Sequence, residues 1–197
     1  MVRILGLGGG LREGSYNLAA LHEALDATAA AGAETRLLDL NDLPLPLYRP
    51  DFASPADYGP EAGERIERLL EAARWADGLL WASPAYHGAI SGAVKNALDY
   101  LQFLARDEPS YLYGKTVGAI SAGGGAIAPV NAVNQLGQIA HALRAQVVPL
   151  TVPITAAYRA FGGGRVTDPQ VRGRLEALGK ELVALAATAA KRRLAPV

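Results

Sequence analysis

Apolar positions along this chain follow two patterns in turn: short, nearly unbroken runs, and longer stretches where they recur every three or four residues. Residues 2–7, 78–83 and 116–121 are runs with few polar breaks, the mark of strands covered on both faces. Residues 34–40 and 146–150 read as two further strands. Helical spacing occupies 17–31, stopped near Gly32, and then 62–76, where Glu64, Arg65, Glu67, Arg68 and Glu71 fall on the outward face. It returns over 91–104, 130–143 and 169–194. Five strands with intervening helices predict an α/β protein, a doubly wound five-stranded parallel sheet with right-handed crossovers in three layers. The rhythm fails over 41–60, which holds five of the twelve prolines and has to be an irregular excursion.

With 197 residues, half of them apolar, the chain is long enough for one sizeable core, so a single domain is expected over 1–197. Its 19 Lys and Arg balance 19 Asp and Glu, which leaves no electrostatic reason to expect nucleic acid or an anionic membrane as a partner. A ligand must then be held by local chemistry. The absence of cysteine excludes a disulfide framework, a thiolate metal site and a thiol nucleophile. Residues 1–6 enter a strand-like run instead of a leader's long apolar segment, and no stretch is apolar for long enough to span a bilayer. A cytoplasmic protein is the expectation.

Three loops follow three of the strands. A parallel sheet brings such loops to its carboxyl edge, where backbone amides and helix N-termini converge. The first runs from Gly8 to Asn17 and combines close-approach glycines with Arg12, Ser15 and Asn17 just before a helix. Glycines let backbone N–H groups face an anion, the helix dipole favours negative charge there, and a guanidinium can grip two phosphate oxygens. Ser15 and Asn17 taken alone also read as ordinary N-cap residues. The second loop, Pro84-Ala85-Tyr86-His87-Gly88, suits the edge of a planar heteroaromatic ring. Its His87 invites an acid–base role, but no partner carboxylate is near in sequence, and a packing or hydrogen-bonding histidine is the simpler reading. The third loop, Ser121 to Ala126, offers the amides of Gly123 and Gly124 to the same ligand.

Rival templates fail on their own residues. No G-x-G-x-x-G is present, although Asp39 ends the second strand where a ribose-binding acid would stand. Gly114-Lys115-Thr116 resembles the end of a Walker A loop, but Pro109 and a following strand exclude it. The G-x-S-x-G elbow of serine hydrolases is missing.

Gly9 to Asn17, Ser83 to Gly88 with Gly92 to Leu101, and Ser121 to Gly125 together resemble the NAD(P)H-dependent FMN reductase family over nearly the whole chain. The middle motif, P-x-Y-x-x-x-x-x-G-x-x-K-N-x-x-D, is complete from Pro84 to Asp99. The family's first loop reads G-S-x-R-x-x-S-x-N; here Gly10 stands in place of the serine, which removes one hydroxyl donor. The resemblance implies a flavodoxin-like fold with strand order 2-1-3-4-5, the switch point lying between the first and third strands. It further implies FMN with its phosphate on Gly10, Arg12, Ser15 and Asn17. Pro84, Ala85, Tyr86, His87 and Gly88 would lie along one side of the ring system, and Ser121, Gly123 and Gly124 by the other. Hydride from NADPH or NADH would reach flavin N5 and pass in ping-pong fashion to a flavin, quinone or similar acceptor, with no catalytic side chain and no metal. A homodimer or homotetramer is implied too, with the 91–104 helix buried against a second copy and Tyr100 or Phe103 near its flavin. A flavodoxin-type electron carrier and a flavin-free regulatory or scaffold relative are the alternatives.

Overall fold

The computed structural model describes residues 1–194, so the last three residues of the expected domain lie outside the described residues. Chain order runs β1 (Arg3–Gly8), α1 (Tyr16–Ala30), β2 (Glu34–Asp39), α2 (Pro60–Trp75), β3 (Gly78–Tyr86), β4 (Ala89–Ile90), α3 (Gly92–Asp99), β5 (Thr116–Ala122), α4 (Ala128–Ala142), β6 (Gln146–Val147), β7 (Val152–Ile154), β8 (Phe161–Gly162), β9 (Arg165–Val166) and α5 (Pro169–Leu194). The main sheet orders β2-β1-β3-β5-β6, with all these neighbours parallel. That is the expected 2-1-3-4-5 arrangement once the short β4 is set aside.

Side chains alternate across the sheet and build two cores. Leu5, Leu7, Leu79, Trp81, Val117 and Ala119 face α2, α3 and α4, while Ile4, Leu80 and Ile120 face α1 and α5. Burial on both faces explains why these strands read as continuous apolar runs. A Cβ on Gly6 would come within 2.6 Å of Leu25 Cδ1, so the glycine lets α1 lie close against β1.

Two expectations about regular structure are corrected. The fifth strand, expected unbroken over 146–150, is strand only in β6, and the edge resumes beyond the expected span as β7; the two pair with β5 separately. Pro149 in the gap has no N–H for a ladder bond. The expected 91–104 helix is α-helical only to Asp99 and continues as a 3₁₀ helix over Tyr100–Arg106.

The apolar face of that segment is also explained without a second copy. Val94, Ala97, Leu98, Tyr100, Leu101 and Leu104 are buried in this chain's own core. Tyr100 is fully enclosed, its ring edge-on to Tyr48 at 5.6 Å, and its hydroxyl donates to Pro46 O at 2.9 Å. Asn96 Nδ2 donates to the same carbonyl at 2.7 Å, and Asn96 Oδ1 accepts from Tyr48 N at 2.8 Å. These bonds pin the proline-rich excursion to the helix, and they withdraw Tyr100 from any neighbour's flavin. Lys115, discarded as a phosphate ligand, instead donates to the Arg74 and Ala76 carbonyls at the end of α2.

Burial pushes the Tyr100 hydroxyl above its ordinary value of 10.0, with the nearby Tyr58 reinforcing the shift. In the unfolded chain the hydroxyl ionises at its ordinary value while the folded protein keeps its proton. Its contribution to stability is therefore complete below pH 10.0 and declines as the pH rises beyond it. Urea unfolding on both sides of that pH should show a shallower alkaline decline for Tyr100→Phe than for the wild type, beside a loss of about 1 kcal/mol at neutral pH for the missing hydrogen bond. Equal declines would assign the alkaline loss to other groups.

Candidate functional site

The carboxyl ends of β1, β3 and β5 stand side by side, because Gly8 is level with Ala82, and Pro84 with Ala122. Gly9 N donates to Ala82 O at 3.1 Å, Ser91 Oγ reaches Gly9 O at 3.4 Å, and Asn41 Nδ2 donates to Gly10 O at 3.2 Å. The first loop is therefore tied on both sides before it turns at Gly14, whose φ of 66° suits glycine. Ser15 caps α1 by accepting from Leu18 N at 3.4 Å. The second loop shares this support. Ser83 Oγ donates to Pro84 O at 2.9 Å and accepts from Ser91 N at 3.0 Å, while Ser91 in turn caps α3 through Val94 N.

These loops enclose a cavity of about 320 Å³ lined by Gly10, Arg12, Ser15, Tyr16, Asn17, Pro84, Ala85, Tyr86, Ala122, Gly123 and Gly124. Arg12 is the charged group among them. The remaining wall is hydroxyl, amide, small apolar surface and two tyrosine rings. A Cβ on Gly124 or Gly125 would meet nothing within 4 Å, so the third loop opens onto free space there. A cation beside a capped helix start and a flat apolar slot suit a molecule with a phosphate at one end and a planar ring at the other.

Nine of the twelve expected site residues line this cavity: Gly10, Arg12, Ser15, Asn17, Pro84, Ala85, Tyr86, Gly123 and Gly124. His87, Gly88 and Ser121 do not. The second loop is partly strand: β3 continues through Pro84 to Tyr86, and Ala85 and Tyr86 pair antiparallel with β4. His87 and Gly88 are thus the turn of a hairpin, with His87 at φ 51° and exposed. Among the described residues the His87 side chain has no hydrogen-bond partner, so nothing orients it for acid–base work. Ser121 is fully buried, and Ala122 takes its place on the wall.

Asn17 has a second task that its capping position conceals. Its Oδ1 accepts from Ala122 N at 2.7 Å and its Nδ2 donates to Ala122 O at 3.2 Å. Most of its hydrogen-bonding capacity is thereby spent on fastening α1 to the third loop. Asp39, the alternative ribose acid, accepts from Asn41 N and Nδ2, both at 2.9 Å, and shapes its own turn. Tyr16 and Ala122 are the lining residues missed from the sequence; both sit one position away from residues that were singled out. Away from this rim a depression of about 660 Å³ lies between the proline-rich excursion and the 3₁₀ segment, lined by Tyr48, Phe52, Phe103 and Arg106 among others. It receives none of the three loops. Among the described residues no helix is long and apolar enough to cross a membrane, and no group of three His, Asp or Glu could hold a metal ion.

Comparison with known proteins points the same way. The sequence profile described as NADPH-dependent FMN reductase matches residues 2–159. The chain is 34% identical over 188 residues to an NAD(P)H-dependent FMN reductase of Pseudomonas aeruginosa, covering 93% of each. It is 32% identical over 184 residues to NADPH-dependent FMN reductase ArsH of Shigella flexneri, covering 92% of this chain and 68% of that protein. Among solved structures, the flavoenzyme NAD(P)H:(acceptor) oxidoreductase FerB of Paracoccus denitrificans superposes with a TM-score of 0.68 at 23% identity, over 95% of this chain and 98% of the other. A flavodoxin from the domain Archaea superposes at 0.62 and 9% identity, over 94% of this chain and 99% of the other. The fold is thus flavodoxin-like.

At position 10 a side chain and the Ser15 hydroxyl as it stands here compete for one space. A Cβ on Gly10 would lie 1.8 Å from Ser15 Oγ and 2.8 Å from Ser15 Cβ. Gly10→Ala should therefore drive Ser15 off its capping position and lower the unfolding free energy by about 1 kcal/mol, the usual worth of such a cap. Urea titration would measure it, and an undiminished midpoint would show that Ser15 yields without cost.

Proposed function

This chain belongs to the NADPH-dependent FMN reductase family, and from that premise we propose how it serves as an FMN-dependent NAD(P)H oxidoreductase: the rim cavity is the FMN site. In this reading Arg12, Ser15 and the Gly10 backbone hold the phosphate. Pro84, Ala85 and Tyr86 border one side of the ring system, and Gly123 and Gly124 the other. When bound there, FMN would supply the redox chemistry that links NADPH or NADH to a small acceptor such as a flavin or quinone.

The observation that carries the reading is the make-up of the cavity wall, with one guanidinium at the helix end and no carboxylate. A carboxylate there would repel a phosphate, whereas Arg12 can donate two N–H groups to it. Pro84 and Ala85 add small apolar surface to one side of the wall, which would shield one side of a bound ring from water. No lining residue is an acid or base suited to proton transfer near neutral pH, which suits chemistry carried by the cofactor. The quinone acceptor draws support from the NADPH:quinone oxidoreductase of Arabidopsis thaliana, 33% identical over 127 residues. Dependence on the nicotinamide pool supports a cytoplasmic location.

A homodimer or homotetramer is part of the proposal. Tyr86 at the end of β3, Ile127 just before α4 and Val130 in α4 are exposed, and Gln135 ties the β3–β4 hairpin to α4 through Ile90 N and Gly88 O at 3.2 Å each. Covering exposed apolar side chains of this kind favours self-association. Light scattering at micromolar concentration should report at least twice the 20.6 kDa of one chain; a monomer would discard the assembly.

Purified protein loaded with FMN should be yellow and should bleach on anaerobic addition of NADPH. Arg12→Ala should raise the FMN dissociation constant about tenfold, the consequence of losing one charge-assisted pair. Wild-type affinity in that variant would refute the phosphate assignment.

A further inference from the structure

We infer that Phe161, which lies beyond the 2–159 segment matched by the family profile, positions Arg12 for the cofactor phosphate by acting through Tyr16. This rests on the reading of Arg12 given above. The Phe161 and Tyr16 rings stack with centroids 4.7 Å apart and planes 20° apart, and the Arg12 guanidinium carbon lies 5.0 Å from the Tyr16 centroid. A stacked ring fills the face it covers, so the guanidinium takes the other. Three flat groups thus form one column from the β8–β9 hairpin to the cavity.

The base of the column is fixed and its tip is not. Phe161 is 8% exposed and pairs with Val166, and Thr167 N closes the hairpin on Ala160 O at 2.8 Å. Tyr16 is half-buried at the start of α1, behind the Ser15 cap. Arg12 is exposed, and among the described residues its side chain has no ion-pair or hydrogen-bond partner. The aromatic face is what restricts its rotamers. An aromatic partner also differs in kind from a carboxylate. It attracts the guanidinium through its face and leaves the in-plane N–H donors unspent. A carboxylate would occupy the same donors that a phosphate needs. The column therefore orients the cation without competing for it, and its effect should be confined to ligands that carry the phosphate.

The test is a flavin-fluorescence titration of the full chain with FMN and with riboflavin, which lacks the phosphate. Phe161→Leu keeps apolar bulk in the hairpin and removes the ring; it should raise the FMN dissociation constant about three- to fivefold, the scale of an exposed cation–π contact, and leave riboflavin unchanged. Phe161→Tyr should restore wild-type affinity. Tyr16→Leu, which removes the middle ring without touching the hairpin, should raise the FMN dissociation constant at least as much as Phe161→Leu. In an Arg12→Ala background Phe161→Leu should cost nothing more, since the two changes act on one interaction. Equal weakening of FMN and riboflavin, additive losses in the double variant, or an unaltered FMN constant beside an intact Arg12→Ala effect would overturn the inference alone. FMN binding indifferent to Arg12→Ala would instead overturn the phosphate reading, and the column's role with it.

Discussion

The rim of the sheet depends on two hydrogen bonds, those by which the Asn17 side chain reads both backbone groups of Ala122. β1 and β5 do not touch, because β3 lies between them, so strand pairing alone leaves their loops about 10 Å apart. The amide of Asn17 crosses that gap from the first turn of α1. It completes the pairing capacity of Ala122 as a neighbouring strand would, and breaking it would strand a buried donor and acceptor at a cost of about 1–3 kcal/mol. Gly123 continues the same line, donating to Ile154 O at 3.0 Å and accepting from Ala157 N at 3.1 Å. Fixed points on both sides leave Gly124 and Gly125 as the free part of the third loop.

What could be read from the sequence was what periodicity and punctuation encode. The continuous apolar runs of β1, β3 and β5 follow from their cover on both faces, and the three loops were visible because glycine and proline interrupt those runs. The extension of β3 through Pro84 was hidden, since proline reads as a break. In the structure Ala82 O bonds to Gly9 N, so the backbone groups of residue 84, two positions on, face the same side. There β1 has already ended at Gly8, and the missing N–H of proline costs no ladder bond. The reach of Asn17 was hidden for a different reason. A side chain's partner a hundred residues away leaves no local trace, and an amide in a helix's first turn looks like a cap.

Tyr100 shows the same limit from the apolar side. Its spacing correctly marks a buried face, but spacing cannot say whether the cover is another molecule or the chain itself. The cover here is the excursion at 41–60, held through the Pro46 carbonyl and the Tyr48 N–H. Prolines that spoil regular structure in that stretch leave carbonyls unpaired, and Asn96 and Tyr100 supply donors to one of them. A segment that reads as irregular is thereby part of the core wall.

Gly10 changes meaning once Ser15 is placed. Against the family's pattern it looks like a lost hydroxyl. Ser15 Oγ, however, stands where a side chain at position 10 would begin. Ser15 Oγ thus fills the space that the absent side chain leaves, and the cavity keeps a hydroxyl on its wall. Around that hydroxyl the wall divides its labour. Ties at Gly9, Gly10 and Ala122 hold the loop backbones beside the phosphate end of the proposed site, and the glycines of the third loop leave the ring end open. An end that must bind one constant group gains from rigidity, while an end visited in turn by a nicotinamide and by varied flat acceptors gains from room.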